Sequence, residues 1–360
     1  PNESNDCIVF EQYLFLIIMS KIIIIGLDGC PFDLIFDLST KGILPTFRRI
    51  FERGCYGVLY STIPPISAVA WTSMFTGLNP GKHGIFSFRR LTCSRFILNN
   101  MSRIKGKPLW DILSMINKKV LLINIPGTYP PYKVRGVMIS GFPAPRNFPR
   151  SYPSSIAWRL LKAVPNYRID VPNYREGMDE RVLIEGVWRV TEARANAILY
   201  LAENYDWDLL IAIFTSLDRL QHVYFGYTDK DSPIYSERKA RILIYYYKKL
   251  DEILSRIISI VDEDTTLFLV SDHGFEPSYK RVNIKPLLSY FRGEKLFGRF
   301  VRISMKLIRS FKLERTLRAE SIKSNISKLL RRIEGKSPTV SYEPPVFLII
   351  KRNIDSERRN

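Results

Sequence analysis

Five short aliphatic runs constrain the fold of this chain more than any other feature. They are rich in Ile, Val and Leu and lack the polar alternation of a strand with one solvent-facing side. Helical periods stand between them, notably over 68–76, 109–116, 181–204 and 236–260. Strands buried on both faces and separated by helices are typical of a parallel sheet covered on both sides. We therefore predict an α/β fold with a mostly parallel central sheet and helices on both faces, with strands in KIIIIGLD, KKVLLINIPG, GVMISGF, DLLIAIFTSLD and TTLFLVSDHG.

Acidic and histidine side chains follow three of these strands. Asp28 ends the first run, Asp218 ends the fourth, and Asp272 with His273 follows the fifth. In an open parallel sheet, ligands bind beyond the carboxyl ends of the strands, where these side chains converge. Asp218 and His222 are four residues apart, so they share one face of a helix that starts there. For each aspartate alone, a helix N-cap is the alternative role.

Carboxylates that converge in this way need a compensating cation, because buried negative charges repel one another. We therefore predict a metal site at this edge of the sheet. A mixed set of nitrogen and oxygen ligands suits zinc, with manganese or iron as alternatives.

Ser67 is the candidate nucleophile near the same edge. It directly follows the Pro-Pro turn of STIPPIS and starts a helical run. A hydroxyl at a helix N-terminus lies where free N–H groups and the helix dipole favour an anion such as a transferred phosphoryl group. Metal coordination would lower the pKa of the hydroxyl. The alternative is an ordinary N-cap serine, and Thr72, Ser73 and Thr76 point less favourably.

Several segments together resemble a known family. IIIIGLDG, PPISAVAWTSMFTGLNPGKHGIFSF, INIPGTYPP followed by GVMISGF, LDRLQHVYFG and VSDHGF are similar to the type I phosphodiesterase/nucleotide pyrophosphatase group of the alkaline phosphatase superfamily. The likeness is strongest to the microbial phosphohydrolase branch and covers residues 21–288 in the family's order. It implies an alkaline phosphatase-like three-layer sandwich and a metal-dependent phosphohydrolase of the phosphodiesterase/nucleotide pyrophosphatase type.

The resemblance also implies a two-metal mechanism on a small phosphorylated substrate. Two divalent ions, zinc with manganese as the alternative, would be bridged by the transferred phosphoryl group. Ser67 would attack in line, form a covalent phosphoserine and be released by hydrolysis. One ion would be held by Asp28, Ser67, Asp272 and His273. The other would be held by Asp218 and His222 plus a histidine from near the family's C-terminus.

This chain departs from the family at three points. No histidine follows His273, and His83 lies in NPGKHG, whose histidine is not a metal ligand in the family. The family continues beyond the last residue here, so we expect a C-terminally truncated chain. A non-polar residue near Phe88 replaces the family's phosphate-contacting asparagine, which leaves nucleotide specificity unsupported. The alternatives are an inactive or incomplete relative that lacks the second metal site, or a phosphomonoesterase or phosphonate hydrolase.

Charge and cysteine usage bound the organisation and partners of the chain. The formal net charge is +19, and residues 280–360 alone hold 21 Lys and Arg against 7 Asp and Glu. We interpret this basic excess as a solvated, partly helical region, and we expect no specific nucleic-acid binding. The apolar run that ends at 25 is interrupted and too short for a membrane span. The four cysteines form no disulfide framework, which favours the cytoplasm.

Three segments are predicted along the chain. Residues 1–18 are an upstream extension before a start at Met19, residues 19–288 form the catalytic domain, and residues 289–360 begin a truncated remainder. Within the domain, residues 135–180 are rich in Pro, Tyr and Asn and predict loops over the sheet end. The sequence leaves the oligomeric state open.

Overall fold

The computed structural model describes residues 21–91, 96–146, 148–171, 178–277 and 346–351 of the chain. Eight strands form one sheet and two more form a hairpin. In chain order the strands are β1 (Lys21–Leu27), β2 (Cys55–Val58), β3 (Arg89–Leu91), β4 (Phe96–Leu98), β5 (Val120–Ile125), β6 (Gly136–Ser140), β7 (Ser151–Tyr152), β8 (Leu209–Phe214), β9 (Thr265–Val270) and β10 (Val346–Lys351).

The centre of the sheet is parallel, as predicted. The sheet order is β2-β10-β9-β1-β8-β5-β6-β7, and the pairs from β9 to β6 are all parallel. The five central strands are the five aliphatic runs of the sequence. Every residue of β5 and β8 is buried, because helices cover both faces of the sheet. At one side of the sheet, β10 pairs antiparallel with both β9 and the edge strand β2, and at the other side the edge strand β7 pairs antiparallel with β6.

Helices pack on both faces and divide the core into two clusters. The larger cluster lies between the sheet and the helices that carry residues such as Phe47, Leu160, Ile198 and Leu250. The smaller one contains Trp71 and Trp110. The helices are α1 (Phe32–Thr40), α2 (Pro45–Arg53), α3 (Ser67–Thr76), α4 (Pro80–His83), α5 (Leu109–Met115), α6 (Ser155–Ala163), α7 (Glu180–Asn204), α8 (Ser216–Tyr224) and α9 (Glu237–Ile258).

The four predicted helices are confirmed as α3, α5, α7 and α9, with ends within two residues of the sequence-based bounds. The prediction of loops over 135–180 is wrong in one respect, since α6 lies within that segment. Its buried face is only Ile156, Ala157 and Leu160, and the prolines on either side hide this short pattern.

Most of the predicted flanking segments lie outside the described residues. This applies to 1–18 and to 289–345, so the three-segment division stays a prediction. The exception is VFLIIK, which forms β10. Within the part of the chain that the structure describes, no helix combines the length and apolar character that a membrane crossing requires.

Candidate active site

The turn after β1 brings Asp28 to the carboxyl edge of the sheet. Asp28 is 2% exposed, and Gly29 follows it with a φ of +70°, a conformation that favours glycine. A Cβ on Gly29 would come within 3.2 Å of the His273 ring. The Gly29 N–H donates to Asp272 Oδ1 at 3.1 Å, and Gln221 Nε2 donates to the Gly29 carbonyl at 2.6 Å. This turn therefore joins the ends of β1 and β9 to α8.

Ser67 is the first residue of α3 and its side chain points at Asp28. The N-cap of α3 is Ile66, so the expectation that Ser67 itself caps the helix is wrong. Ser67 Oγ instead donates to Asp28 Oδ1 at 3.0 Å and lies 3.3 Å from His273 Nε2. The hydroxyl is thus held among the predicted metal ligands, beside the free N–H groups of the first helical turn.

Asp272 and His273 follow β9 and their side chains converge. His273 Nδ1 donates to the Gly274 carbonyl at 2.9 Å, which turns Nε2 towards the carboxylates. His273 Nε2 lies 3.6 Å from Asp28 Oδ1 and 3.5 Å from Asp272 Oδ2. This nitrogen is the one that a metal ion would take.

The geometry around these residues fits a cation. Among the described residues, Asp28, Asp272 and His273 form the one group of at least three His, Cys, Asp or Glu side chains whose ligand atoms lie within 4.8 Å of one another. Asp272 Oδ2 is buried and has no hydrogen-bond partner among those residues. A buried carboxylate oxygen without a donor is costly unless a positive charge compensates it. The donor set, with oxygen and imidazole nitrogen, suits zinc or manganese.

Asp218 and His222 share one face of α8, as predicted. β8 ends at Phe214, four residues before the sequence-based strand end, and α8 begins at Ser216. His222 Nε2 lies 3.3 Å from Asp218 Oδ1, and the His222 side chain is 57% exposed. Asp218 and His222 are the residues that would hold the predicted second ion. Among the residues that the structure describes, no further histidine lies beside this pair to complete a second site.

The electrostatics of the site reflect three buried carboxylates in one place. Burial raises the pKa of Asp28, and the charges of Asp272 and Asp218 raise it further. Burial likewise raises the pKa of Asp272. Burial also opposes ionisation of Asp218, but its hydrogen bond with His222 and nearby positive charges lower its pKa below the ordinary value.

His273 carries the compensating charge in the metal-free protein. Burial opposes its imidazolium form, but Asp272, Asp28 and Asp218 outweigh that effect and raise the pKa of His273 to about 9. At neutral pH the histidine is therefore protonated without a metal, and it must lose that proton to bind one.

A cleft of 290 Å³ gives access to these groups. Phe88 and Phe142 form one wall, with their ring centroids 5.0 Å apart. The remaining lining residues are Asp28, Pro65, Ile66, Ser67, Pro126, Thr215, Asp218, Arg219, His222 and His273. Five of the six predicted site residues therefore line one cleft, and Asp272 lies directly behind His273.

Two residues of the site were not predicted from the sequence. Trp71 is fully buried and donates from Nε1 to Asp28 Oδ2 at 3.1 Å. Arg219 lines the cleft next to Asp218. Trp71 lies one helical turn after Ser67, and Arg219 directly follows a predicted ligand, so their spacing was the available signal.

Comparison of the chain with known protein families gives a match. Residues 22–342 match the type I phosphodiesterase / nucleotide pyrophosphatase family. The chain belongs to this family. Its members are hydrolases that act on phosphoester bonds, which agrees with the resemblance read from the sequence. A search of curated proteins gives no match.

Solved structures similar to this phosphodiesterase-family chain include phosphonoacetate hydrolase from Sinorhizobium meliloti 1021. The complex with phosphonoacetate is 17% identical, with a TM-score of 0.52, and the match covers 77% of this chain and 63% of that one. The complex with phosphonoformate is 15% identical, with a TM-score of 0.51, and covers 92% and 82%. The chain thus spans less than two thirds of the first structure.

A third similar structure is murine ectonucleotide pyrophosphatase / phosphodiesterase 5, an inactive form in complex with AMP. It is 14% identical, with a TM-score of 0.44, and the match covers 71% of this chain and 57% of that one. The predicted alkaline phosphatase-like α/β fold is confirmed by the phosphonoacetate hydrolase structures.

Proposed function

We propose that this protein is a metal-dependent phosphohydrolase of the phosphodiesterase/nucleotide pyrophosphatase type. It transfers a phosphoryl group from a small substrate to Ser67 and then to water. The proposed compartment is the cytoplasm, because Cys30 and Cys55 are free thiols.

One observation carries the proposal. Ser67 Oγ lies 3.0 Å from Asp28 Oδ1 and 3.3 Å from His273 Nε2, at the mouth of a cleft and at the start of a helix. A hydroxyl in contact with two metal-ligand side chains and a helix N-terminus has the surroundings that a phosphoryl-accepting nucleophile needs. A serine that only caps its helix would bond to its own first turn instead.

Two ions would be held by the residues described above. The first would take Asp28, Asp272, His273 and Ser67 as ligands, and this assignment is supported by the buried Asp272 Oδ2, which accepts no hydrogen bond from the described residues. The second would take Asp218 and His222. When bound, such ions lower the pKa of the serine hydroxyl and neutralise charge on the phosphoryl oxygens.

The chain's own residues orient and shield the reaction. Asp28 accepts the Ser67 hydrogen bond and so aims the oxygen lone pairs into the cleft. The helix dipole at the start of α3 favours an incoming anion. The Phe88 and Phe142 rings exclude water from one wall, which strengthens the electrostatic interactions inside.

The competing hypothesis is an incomplete relative that binds one metal ion and does not turn over substrate. It is favoured by the second site, where the described residues supply only Asp218 and His222. Metal analysis of purified protein separates the two. Two zinc or manganese ions per chain with turnover support the enzyme, whereas at most one ion without turnover supports the incomplete relative.

The direct test of the function is the change Ser67→Ala in metal-loaded protein. We expect turnover of bis-p-nitrophenyl phosphate and p-nitrophenyl phosphate to fall at least about 1,000-fold, since the reaction loses its nucleophile. Ser73→Ala is the matched control, because Ser73 lies on the same helix and contacts His83 Nε2 at 2.9 Å, outside the cleft. Near-normal activity of Ser67→Ala would refute the assignment.

A further inference from the structure

Arg219 is a positively charged residue that lines the cleft, and the proposed mechanism gives it no role. It lies on α8 directly after Asp218, and its side chain is 20% exposed. The exposed part lines the same cleft as Ser67. The guanidinium group carries a permanent positive charge, and such a charge in a cleft for a phosphorylated substrate would attract an anionic group of that substrate.

The guanidinium group is held in one orientation by a buried partner. Arg219 Nε lies 3.3 Å from Asp170 Oδ1 and Nη2 lies 2.9 Å from Oδ2, so the pair is bidentate. The Asp170 side chain is 0% exposed. Phe142 lies under the guanidinium, 5.4 Å from its central carbon to the ring centroid. This support lowers the entropy cost of binding a ligand, because the group is already oriented.

The bidentate pair involves Nε and Nη2 of the guanidinium, and Nη1 lies beside a second carboxylate. Nη1 lies 3.6 Å from Asp218 Oδ2, which is a proposed ligand of the second ion. Ser67 and Arg219 line the same cleft of 290 Å³, so a substrate bound at Ser67 shares this space with the guanidinium. An anionic oxygen of that substrate is the group that this charge would attract.

We propose that Arg219 is a specificity-determining residue. A simple phosphodiester carries one negative charge, and Arg219 selects substrates that carry a second one. The inference rests on the proposed function and deepens it. The second charge has two sources: a non-bridging oxygen of a dianionic monoester or phosphonate, or an anionic group on the leaving alcohol. Both meet a guanidinium in a partly desolvated cleft, where charge-assisted contacts are strong.

The plain structural role for Arg219 is to neutralise Asp170 and Asp218. Arg146 provides a control for that role, since Arg146 Nη2 lies 3.5 Å from Asp170 Oδ2 and Arg146 is not a lining residue of the cleft. Removal of Arg146 weakens the same carboxylate pair without touching the cleft. A purely structural Arg219 would therefore behave as Arg146 does towards ligands.

Ligand binding to the full, metal-loaded chain tests the proposal without turnover. In a Ser67→Ala background, calorimetry compares phenyl phosphate, diphenyl phosphate and 4-carboxyphenyl phenyl phosphate. We expect Arg219→Gln to weaken one of the two doubly charged ligands, phenyl phosphate or 4-carboxyphenyl phenyl phosphate, by about 10- to 100-fold, and diphenyl phosphate by less than about 3-fold. Arg146→Ala should leave that ratio unchanged. A selective loss with phenyl phosphate assigns the contact to the non-bridging oxygens, and a selective loss with the carboxylated diester assigns it to the leaving group.

Two results would overturn the proposal: an equal loss for all three ligands, or no loss for either of the two doubly charged ligands. Since Arg219→Gln leaves Asp170 without its bidentate partner, the double variant Arg219→Gln/Asp170→Asn provides a second protein without that unpaired charge. It should show the same selective loss. Failure of the proposed function is distinguishable, because it would be seen as absent or Ser67-independent turnover while the charge selectivity in binding persists.

Discussion

Trp71→Phe tests the link between the hydrophobic core and the candidate site. Trp71 is fully buried, stacks on Phe75 at 5.8 Å and donates to Asp28 Oδ2 at 3.1 Å. Phenylalanine keeps a ring at this position but removes the N–H donor and part of the packed volume. The change therefore removes a charge-assisted hydrogen bond from a carboxylate that burial already disfavours.

Trp110→Phe is a matched control in the same cluster. Trp110 is also fully buried, packs against Phe75 at 5.4 Å and donates from Nε1, but its acceptor is the neutral Tyr132 hydroxyl at 2.7 Å. Both changes lose similar packing, about 1 to 2 kcal/mol. The hydrogen bond to the charged acceptor contributes about 1.5 to 3 kcal/mol and the neutral one about 0.5 to 1.5 kcal/mol.

We therefore expect Trp71→Phe to lower the free energy of unfolding of the metal-free protein by about 1 to 1.5 kcal/mol more than Trp110→Phe. Urea denaturation measures this difference. Zinc affinity should fall about 10-fold or more in Trp71→Phe only, because Trp71 orients a first-ion ligand. Equal destabilisation and equal zinc affinity in the two variants would refute this coupling between core and site.

Three further predictions concern the site and its scaffold. Asp272→Asn should abolish binding of the first ion, which zinc titration measures. It should change the free energy of unfolding of the metal-free protein by less than about 1 kcal/mol in urea denaturation, because Oδ1 can still accept from the Gly29 N–H. Zinc binding at pH 7.5 should release protons, and the zinc affinity should rise as the pH approaches about 9, because His273 is protonated below its pKa of about 9. Calorimetry in buffers of different ionisation enthalpy detects the proton release. A binding enthalpy that does not depend on the buffer would contradict it. Asp251→Asn should lower the free energy of unfolding by about 2 kcal/mol, because the Asp251 carboxylate accepts hydrogen bonds from two N–H groups in the first turn of α2. The zinc affinity should stay unchanged. An unchanged midpoint of urea denaturation would count against this role.

The sequence predicts the central sheet well because its strands are buried on both faces. Runs such as KIIIIGLD have no polar alternation, so their pattern indicates a parallel sheet and its carboxyl edge at once. That edge is where Asp28, Asp272 and His273 meet. The helix-face pairing of Asp218 with His222 follows from a spacing of four residues.

What the sequence misses are contacts between distant segments. Asp170 holds Arg219 across 49 positions, and Trp71 reaches Asp28 across 43, so no local pattern indicates either pair. The orientation of Ser67 was missed for a related reason. Its hydroxyl has an acceptor in the turn after β1 that competes with its own helical turn, and only the packed structure decides between them.

The central claim is that Ser67 accepts the phosphoryl group. The most direct measurement is acid quenching of metal-loaded protein during turnover of p-nitrophenyl phosphate or bis-p-nitrophenyl phosphate, followed by peptide mass mapping. We predict a single phosphorylated peptide that contains Ser67, and no such peptide from Ser67→Ala. Phosphate on another residue, or active turnover without any phosphorylated peptide, would contradict the account.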